Sequence, residues 1–381
     1  MARRQIKYEF NTEAFIGNLN ALADTDLDKI AHSDTLAYLM KKITPETISR
    51  LRVRMINRLI RMRCLEPDRL LDKYYVIAID LTGHINFGTS RHCPRCMSEK
   101  VGGNTTMYSH PVLEAKLVSP RGMALSVATE FVENIPGYRK QDCELRAFYR
   151  LAGKLKKTFP QLRICLSLDA LYANQQTFEI CRKNEWKYII TFKKGSMSSI
   201  HEEAMTIKSL QKENRATCEK NNIKQRYAWA TEIEHEGHKT NVLECAEFTK
   251  GRVKGKRYLW MTNLGITKDN VKGIGNNGGR LRWKIENEGF NMQKNGGYGL
   301  EHTYSSNPTA MKNFYLLLQI AHIINQLMEK GSLLKEGVKK AFGGIRNFTR
   351  RLLEGLRTIL LTPERLRNIL SAPCQIRFDS S

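Results

Sequence analysis

The chain has 381 residues, of which 41% are hydrophobic and 26% are charged. This composition excludes fibrous and intrinsically disordered proteins, and the length allows one large core with appended parts or two or three domains. Lys and Arg number 62 against 38 Asp and Glu, which gives a formal net charge of +24. An excess of this size indicates a polyanionic partner, with nucleic acid as the first candidate.

The sequence also indicates a cellular compartment. No apolar run approaches the roughly 18 residues of a membrane span, and the polar opening Met1–Gln5 does not resemble a signal peptide. The nine cysteines are odd in number and irregularly spaced, unlike a secreted disulfide framework. We therefore expect a cytoplasmic, nucleoid-associated protein without a membrane partner.

The first seventy residues predict a basic helical region. Thr44-Pro45-Glu46 is typical of a helix start. Apolar residues then recur at helical spacing, namely Ile48, Leu51, Met55, Leu59 and Met62. Arginines occupy much of the remaining surface, namely Arg50, Arg52, Arg54, Arg58, Arg61 and Arg63. A solvated charged face is one interpretation, but charges of one sign favour phosphate contact, with Arg54, Arg58 and Arg61 as the DNA-binding candidates.

From residue 74 onward the pattern predicts strands. Tyr74–Ile79 is an apolar run ending in Asp80, as expected for a central strand whose last residue emerges at the sheet edge. Further strands are predicted at 105–118, 122–132, 162–168 and 188–192, with helices at 140–158 and 172–184. The resulting order is βββαβαβ. The strand at 162–168 is also followed by an acid, Asp169.

The second half predicts three further parts. Alternating segments within 196–262 indicate a β-rich insertion. A loop then leads into a helix over 280–294 that carries Glu286, and an apolar helix over 308–329 is interrupted by polar residues, which favours core packing over a membrane span. Residues 331–381 predict a basic helical tail.

Asp80, Asp169 and Glu286 all belong to predicted rigid elements. Hard divalent cations prefer carboxylate oxygens, and two ions about 4 Å apart can hold the attacking and leaving oxygens of an in-line displacement. Taken singly, each Asp can also be a turn former or a cap, and Glu286 can pair with a neighbouring base. Together they predict a two-metal site for phosphoryl transfer.

These segments resemble the DDE transposases of bacterial insertion sequences, in the group with a β-strand insertion inside an RNase H-like fold. The similarity covers roughly residues 70–330. Its motifs are Ile79–Thr82, Leu168–Tyr172, Arg280–Asn291, Lys294–Asn295 and Gly297–His302.

The resemblance implies that Asp80, Asp169 and Glu286 are catalytic and bind two Mg²⁺ or Mn²⁺ ions. The implied fold class is α/β, an RNase H-like mixed sheet flanked by helices, with a β-rich insertion and helical N- and C-terminal parts. The implied activity is cut-and-paste transposition by a homodimer on double-stranded DNA, both element ends and target. The domain prediction is a DNA-binding region 1–70, a catalytic core split into 71–195 and 263–330, the insertion 196–262 and the tail 331–381.

The group also carries a Tyr-x2-Arg-x3-Glu-x6-Lys signature. Arg282 and Glu286 satisfy its middle, whereas Gly279 stands at the Tyr position and Gln293 at the Lys position, with Lys294 one residue later. One residue turns a helical side chain by about 100°, so Lys294 reaches the same phosphate only if the helix loosens. Arg282 and Lys294 are expected to hold the DNA backbone, with an ordinary surface cation as the alternative.

Two smaller features have competing interpretations. Cys93 and Cys96 form a Cys-x2-Cys turn beside His92, a spacing that suits structural zinc if two more ligands come from His84, His92 or His110. A plain reduced loop is the alternative. Asp142 and Glu144 open the helix predicted at 140–158 and suit its dipole better than a catalytic duty.

Two other functions remain open. One is a metal-dependent nuclease of the same fold that cuts DNA without strand transfer. The other is a DNA-binding remnant without catalysis, against which the three retained acids argue.

Overall fold

The computed structural model describes residues 6–88, 93–101, 103, 105–135, 139–193, 195, 197–220, 223–249, 255–334, 337–371 and 376–378. The chain divides into two compact units. A helical unit comprises Met1–Cys64 and Asn295–Ser381, and a second unit comprises Leu65–Lys294. The chain therefore leaves the helical unit and later returns to it.

A mixed sheet of ten strands within the described residues forms the second unit. The strand order is β2-β3-β1-β5-β6-β10-β9-β8-β7. The tenth strand, β4, is outside this order and pairs with β3. The strands are β1 (Tyr75–Gly88), β2 (Met97–Val101), β3 (Thr105–Val118), β4 (Ala124–Phe131), β5 (Ile164–Leu168), β6 (Lys187–Thr191), β7 (Arg215–Lys220), β8 (Ile223–His235), β9 (His238–Thr249) and β10 (Lys256–Thr262).

Helices connect and flank these strands. They are α5 (Glu144–Thr158), α6 (Gln175–Asn184), α7 (Ser198–Leu210), α8 (Val271–Asn277) and α9 (Met292–Asn295), with 3-10 turns at Glu66–Asp68, Ala170–Tyr172 and Gly279–Arg282 and a π-helix at Ile285–Asn291.

The predicted βββαβαβ order is observed, with the short β2 added. β1, β3 and β4 form antiparallel pairs, while β5 runs parallel to β1 and β6 parallel to β5. Each parallel crossover uses a helix, α5 or α6. α5 buries Phe148, Leu151 and Leu155, a spacing of three and four residues that places an apolar face against β3 and β4.

Three local predictions were wrong. β1 does not end at Asp80 but continues to Gly88, because β3 pairs with it over that length. The segment 196–262, predicted to be β-rich, contains β7 to β10 but opens with helix α7, which was not predicted and which buries Ile200 and Ala204. The helix predicted over 280–294 is divided into a 3-10 turn, a π-helix and a short α-helix.

The helical unit contains both ends of the chain. Its helices are α1 (Ile6–Phe10), α2 (Glu13–Ala23), α3 (Ser33–Lys42), α4 (Pro45–Arg61), α10 (Pro308–Lys330), α11 (Val338–Phe342), α12 (Ile345–Thr358) and α13 (Pro363–Ser371). α10 packs against α3 and α4. Within the described part of the chain, no helix is long and apolar enough to cross a membrane.

Helix α4 begins at Pro45 as expected and buries Ile48 and Leu59 as expected, but its buried face also includes Arg52 and not Leu51. Leu51, predicted to be core, is 50% exposed, whereas Arg52 is only 2% exposed. The buried positions Ile48, Arg52 and Ile56 follow a spacing of four. An arginine can occupy such a position because its aliphatic stem packs like an apolar side chain.

Asn18 joins the two terminal segments of the helical unit. Its side-chain nitrogen donates to the carbonyls of Leu356 (3.0 Å) and Ile359 (2.7 Å), and its side-chain oxygen accepts from the amide of Leu361 (2.7 Å). Asn18 is 1% exposed. Three hydrogen bonds from one buried side chain therefore hold α2 against the end of α12.

We expect Asn18→Ala to lower the free energy of unfolding by about 2–4 kcal/mol, because two carbonyls and an amide lose their partner in a buried place. The measurement is chemical denaturation followed by circular dichroism. The matched control, Asn347→Ala at an exposed position of α12, should change stability by less than about 0.5 kcal/mol. Equal stability of the two variants would contradict this assignment.

Candidate active site

Asp80 lies in β1 where parallel pairing with β5 has stopped. The last parallel pair is Ala78 with Ser167, so Asp80 and Asp169 each follow that pair by two residues. Neighbouring strands are about 4.8 Å apart, and residues two apart share a face. The register therefore places the two acids next to each other at the carboxyl-terminal end of the β1–β5 pairing.

Glu286 is the second residue of the π-helix Ile285–Asn291. That segment buries Ile285, Gly289 and Phe290 and packs against β1, β3 and β4, whereas Glu286 is exposed. π-helical turns are rare and occur often at functional sites. The buried face of the segment thus fixes Glu286 on the solvent side.

Asp169 and Glu286 both act electrostatically on Asp80. Burial is the largest cause of the raised pKa of Asp80, and the negative charges of Asp169 and Glu286 raise it further. Arg282 and the amide of Leu81 oppose these effects. Arg282 donates a hydrogen bond to Asp80 Oδ2 at 3.2 Å. Asp169 and Glu286 therefore lie within electrostatic reach of Asp80, and the cation of the same signature pairs with Asp80.

The donor chemistry fits a hard divalent cation, because all three side chains offer carboxylate oxygens. Among the described residues, however, no three His, Cys, Asp or Glu side chains are grouped closely enough to hold a metal ion. Asp169 Oδ1 accepts a hydrogen bond from the amide of Leu171 (2.8 Å), which is the turn-capping role weighed against metal binding. The carboxylates would have to draw together to share an ion.

Glu144 is a fourth carboxyl at this site, and sequence reasoning missed it. It opens α5, and Tyr172 donates a hydrogen bond to its Oε1 at 2.7 Å. Burial raises the pKa of Glu144, and Asp169 and Asp80 add to that rise. The helix-dipole explanation concealed this proximity, which depends on how α5 packs. Asp142 pairs with Arg150 instead (2.6 Å).

A cavity of about 670 Å³ adjoins Asp169. Its lining combines aromatic faces with cations, a combination that suits a nucleotide because bases stack on aromatic rings and phosphates attract cations. The lining residues that carry this character are Phe192, Lys193, Arg257, Tyr258, Trp260, Arg280, Arg282 and Trp283.

Gly279, at the signature Tyr position, has no room for a side chain. A Cβ there would lie 2.4 Å from Cε2 of Trp260. Trp260 stacks on Tyr258 with their ring centroids 5.6 Å apart. The indole of Trp260 thus lies against the backbone of Gly279, and the two residues are matched in size.

The two positions that could correspond to the signature lysine, 293 and 294, differ in burial. Gln293 is fully buried, whereas Lys294 is exposed, as Glu286 is. Lys294 stands eight residues after Glu286, compared with seven in the signature. A π-helix closes its hydrogen bonds over five residues, so its turn takes up about one residue more than an α-helical turn. The loosening that Lys294 requires is therefore present.

The predicted DNA-binding arginines of α4 belong to the helical unit. Arg54, Arg58 and Arg61 are exposed and follow one another by four and three residues, so they share one side of the helix. Arg52 does not join them because it lies in the core.

The Cys-x2-Cys turn lies beside one predicted partner. Cys93 Sγ is 3.2 Å from His110 Nε2, and the amide of Cys93 donates to Cys96 Sγ at 3.1 Å. Cys96 and His110 are buried. His92 and the side chain of His84 lie outside the described residues. Zinc binding stays a prediction, because the described Cys and His side chains form no group that could hold an ion.

No family model and no curated protein matches the chain. Among solved structures, it is similar to a piggyBac transposase in a synaptic complex with hairpin DNA, determined by cryo-EM. The identity is 10% and the TM-score 0.39, over 97% of this chain and 81% of that chain. Similarity this low establishes neither family nor function.

The raised pKa of Asp80 predicts that its ionised form costs stability above that pKa. We expect Asp80→Asn to raise the melting temperature at pH 7 in metal-free buffer, and the gain to shrink as the pH falls through the raised pKa of Asp80 and the side chain takes up its proton. Melting scans across this pH range measure the effect.

Asp142 is the control with the opposite sign. Burial acts against its ionisation, but its hydrogen bonds with Arg150 and the amide of Cys143 prevail and lower its pKa. Asp142→Asn should therefore lower the melting temperature at pH 7, and this loss should shrink at acid pH. Shifts of the same sign in both variants would refute the electrostatic description of Asp80.

Proposed function

We propose that this chain is a DNA transposase of the DDE type that cleaves element ends and joins them to target DNA. The observation that carries the proposal is that Asp80 and Asp169 each stand two residues after the last parallel pair of β1 and β5, with Glu286 in electrostatic reach of Asp80. Two aspartates at the end of the β1–β5 pairing, with a glutamate from a neighbouring helix, supply the carboxylates that two-metal phosphoryl transfer uses.

The order of strands supports an RNase H-like catalytic unit. Three antiparallel strands (β4, β3 and β1) are followed by two strands parallel to β1, each reached through a helix. β7, β8 and β9 then extend the sheet before the chain reaches Glu286. This matches the resemblance to insertion-sequence transposases with a β-strand insertion.

Asp80, Asp169 and Glu286 would hold the two Mg²⁺ or Mn²⁺ ions. Such ions, when bound, activate the attacking oxygen and stabilise the departing one. Glu286 and the two aspartates would supply the negative charge that attracts them. The pKa of Asp80 is raised mainly by burial, and the charges of Asp169 and Glu286 add to that rise. Arg282 neutralises Asp80 in the free protein and is placed to turn towards a backbone phosphate.

DNA contact is assigned to cations in both units. Lys294 is on the exposed side of its helix, as is Glu286, and would hold a phosphate near the cleaved bond. Arg54, Arg58 and Arg61 of α4 present a stripe of positive charge for the DNA backbone. Such a reaction acts on two element ends, and a homodimer would provide one chain for each end.

The central test is cleavage of labelled element ends in Mg²⁺. Asp80→Asn, Asp169→Asn and Glu286→Gln should each lower the cleavage rate at least about 100-fold and leave DNA affinity within about threefold, because each removes a charge needed in the transition state. Asp269→Asn, at an exposed site, is the control and should cleave normally. A fully active Asp80→Asn variant would exclude the proposed site.

The products identify the reaction. Element ends joined to a target plasmid support transposition. Linear cuts without joining would reduce the proposal to a nuclease of the same fold, and the absence of both with Mg²⁺ or Mn²⁺ would leave a DNA-binding remnant.

Lys294 and Gln293 provide a second test. We expect Lys294→Ala to weaken DNA binding about tenfold at low salt and to reduce the salt dependence of binding by about one phosphate contact. Gln293→Lys in the same variant should not restore binding, because position 293 is buried and a lysine there lowers stability. Restored binding by the double variant would contradict the assigned faces.

A further inference from the structure

A lysine without exposed surface lies beneath the segment that carries Glu286. Lys116 belongs to β3 and is 0% exposed. Its partner in the β1 register is Ala78, two residues before Asp80, so Lys116 shares the face of the sheet on which Asp80 lies. Burying an ammonium group is costly unless its surroundings compensate the charge. A hydrophobic residue would fill the same place at a lower cost.

Lys116 contacts the π-helix directly. Its ammonium nitrogen lies 5.6 Å from the centroid of the Phe290 ring, within range of a cation–π interaction. Gly289 approaches so closely that a Cβ there would lie 3.1 Å from Cδ and Cε of Lys116. Both contacts fall three and four residues after Glu286, about one helical turn away. Lys116 is therefore one of the side chains on which the underside of the Glu286 segment packs, and it is the one nearest to Gly289.

The strand that carries Lys116 is itself held firmly at this point. Glu114, two residues earlier in β3, is also 0% exposed and lies opposite Asp80 in the register. It accepts hydrogen bonds from the hydroxyls of Ser126 and of Thr129, the latter at 2.8 Å, both in β4. Lys116 thus projects from a strand that is fixed on the side of Asp80 and on the side of β4.

We infer that Lys116 is a positioning residue that sets the height and lateral placement of Glu286 above the sheet. The stem of Lys116 meets Gly289 and limits how closely the segment approaches, and the charge attracts the face of Phe290 and limits sideways movement. An apolar residue would supply only the first of these. The inference rests on the proposed function, because Glu286 has to meet Asp80 and Asp169 for the chemistry. Displacement of a reacting group by about 1 Å can cost on the order of 100-fold in rate.

Lys116→Met is the direct test, because methionine keeps the length and the apolar stem but removes the charge. We expect unchanged affinity for an element end, a cleavage rate about tenfold or more lower, and a higher Mg²⁺ concentration for half-maximal rate. Hydrogen–deuterium exchange without metal or DNA should become faster over residues 285–294 and stay unchanged in β5 and β6. A purely structural role would instead lower stability throughout the second unit.

Gly289→Ala approaches the same contact from the helix. Its methyl group would crowd Lys116, so cleavage should fall and exchange over residues 285–294 should rise. Gly153→Ala is the matched control, because Gly153 also lies within a helix but a Cβ there meets nothing within 4 Å. It should behave as the wild type. Because both changes act through one contact, the double variant Lys116→Met with Gly289→Ala should be no slower than about the slower single variant.

The inference is overturned if Lys116→Met keeps wild-type cleavage, metal requirement and exchange, or if the two single effects multiply in the double variant. Should Lys116→Met fail to fold, Gly289→Ala decides the question, and wild-type behaviour of that variant overturns the inference. If the wild type cleaves no DNA with Mg²⁺ or Mn²⁺, the proposed function fails instead. The exchange measurement still decides in that case whether Lys116 positions the segment.

Discussion

The register between β1 and β5 is the constraint on which the candidate site depends. Parallel pairing ends at Ala78 and Ser167. Asp80 and Asp169 follow this last pair by two residues each, so they lie where β1 and β5 are no longer hydrogen-bonded to each other. Burial is the main cost of ionising Asp80, and the negative charge of Asp169 adds to it. Arg282 offsets part of that cost in the free protein. An acid whose ionisation is made costly by burial and neighbouring charge is a feature that is common at functional sites.

Much of the second unit could be predicted from sequence, because buried strands are short apolar runs and the acids follow them. The β5 strand and Asp169 are an example, since everything needed is local. The continuation of β1 to Gly88 could not be predicted, because it depends on pairing with a strand more than twenty residues away. The same reason hid Glu144, whose proximity to Asp169 depends on how α5 packs. Arg52 misled the helical pattern because its stem packs like an apolar residue.

The departures from the transposase signature are accompanied by compensating changes nearby. Glycine replaces tyrosine at position 279, where the ring of Trp260 leaves no space for a side chain. Lysine appears one residue late at 294, and a π-helix precedes it that takes up the extra residue. The sequence at these two positions does not reveal the Trp260 contact or the π-helix, because both depend on the folded backbone.

The separation of Asn18 from its partners has a consequence for synthesis on the ribosome. Asn18 and Leu361 are 343 residues apart in sequence. At about 5–20 residues per second, the nascent chain waits on the order of 20–70 s between translating one and the other. Residues 65–294 leave the ribosome within that interval and can fold first. The hydrogen bonds that Asn18 makes with the carboxyl-terminal segment therefore form last. A prematurely terminated polypeptide would lack that segment, and Asn18 would have no such partners.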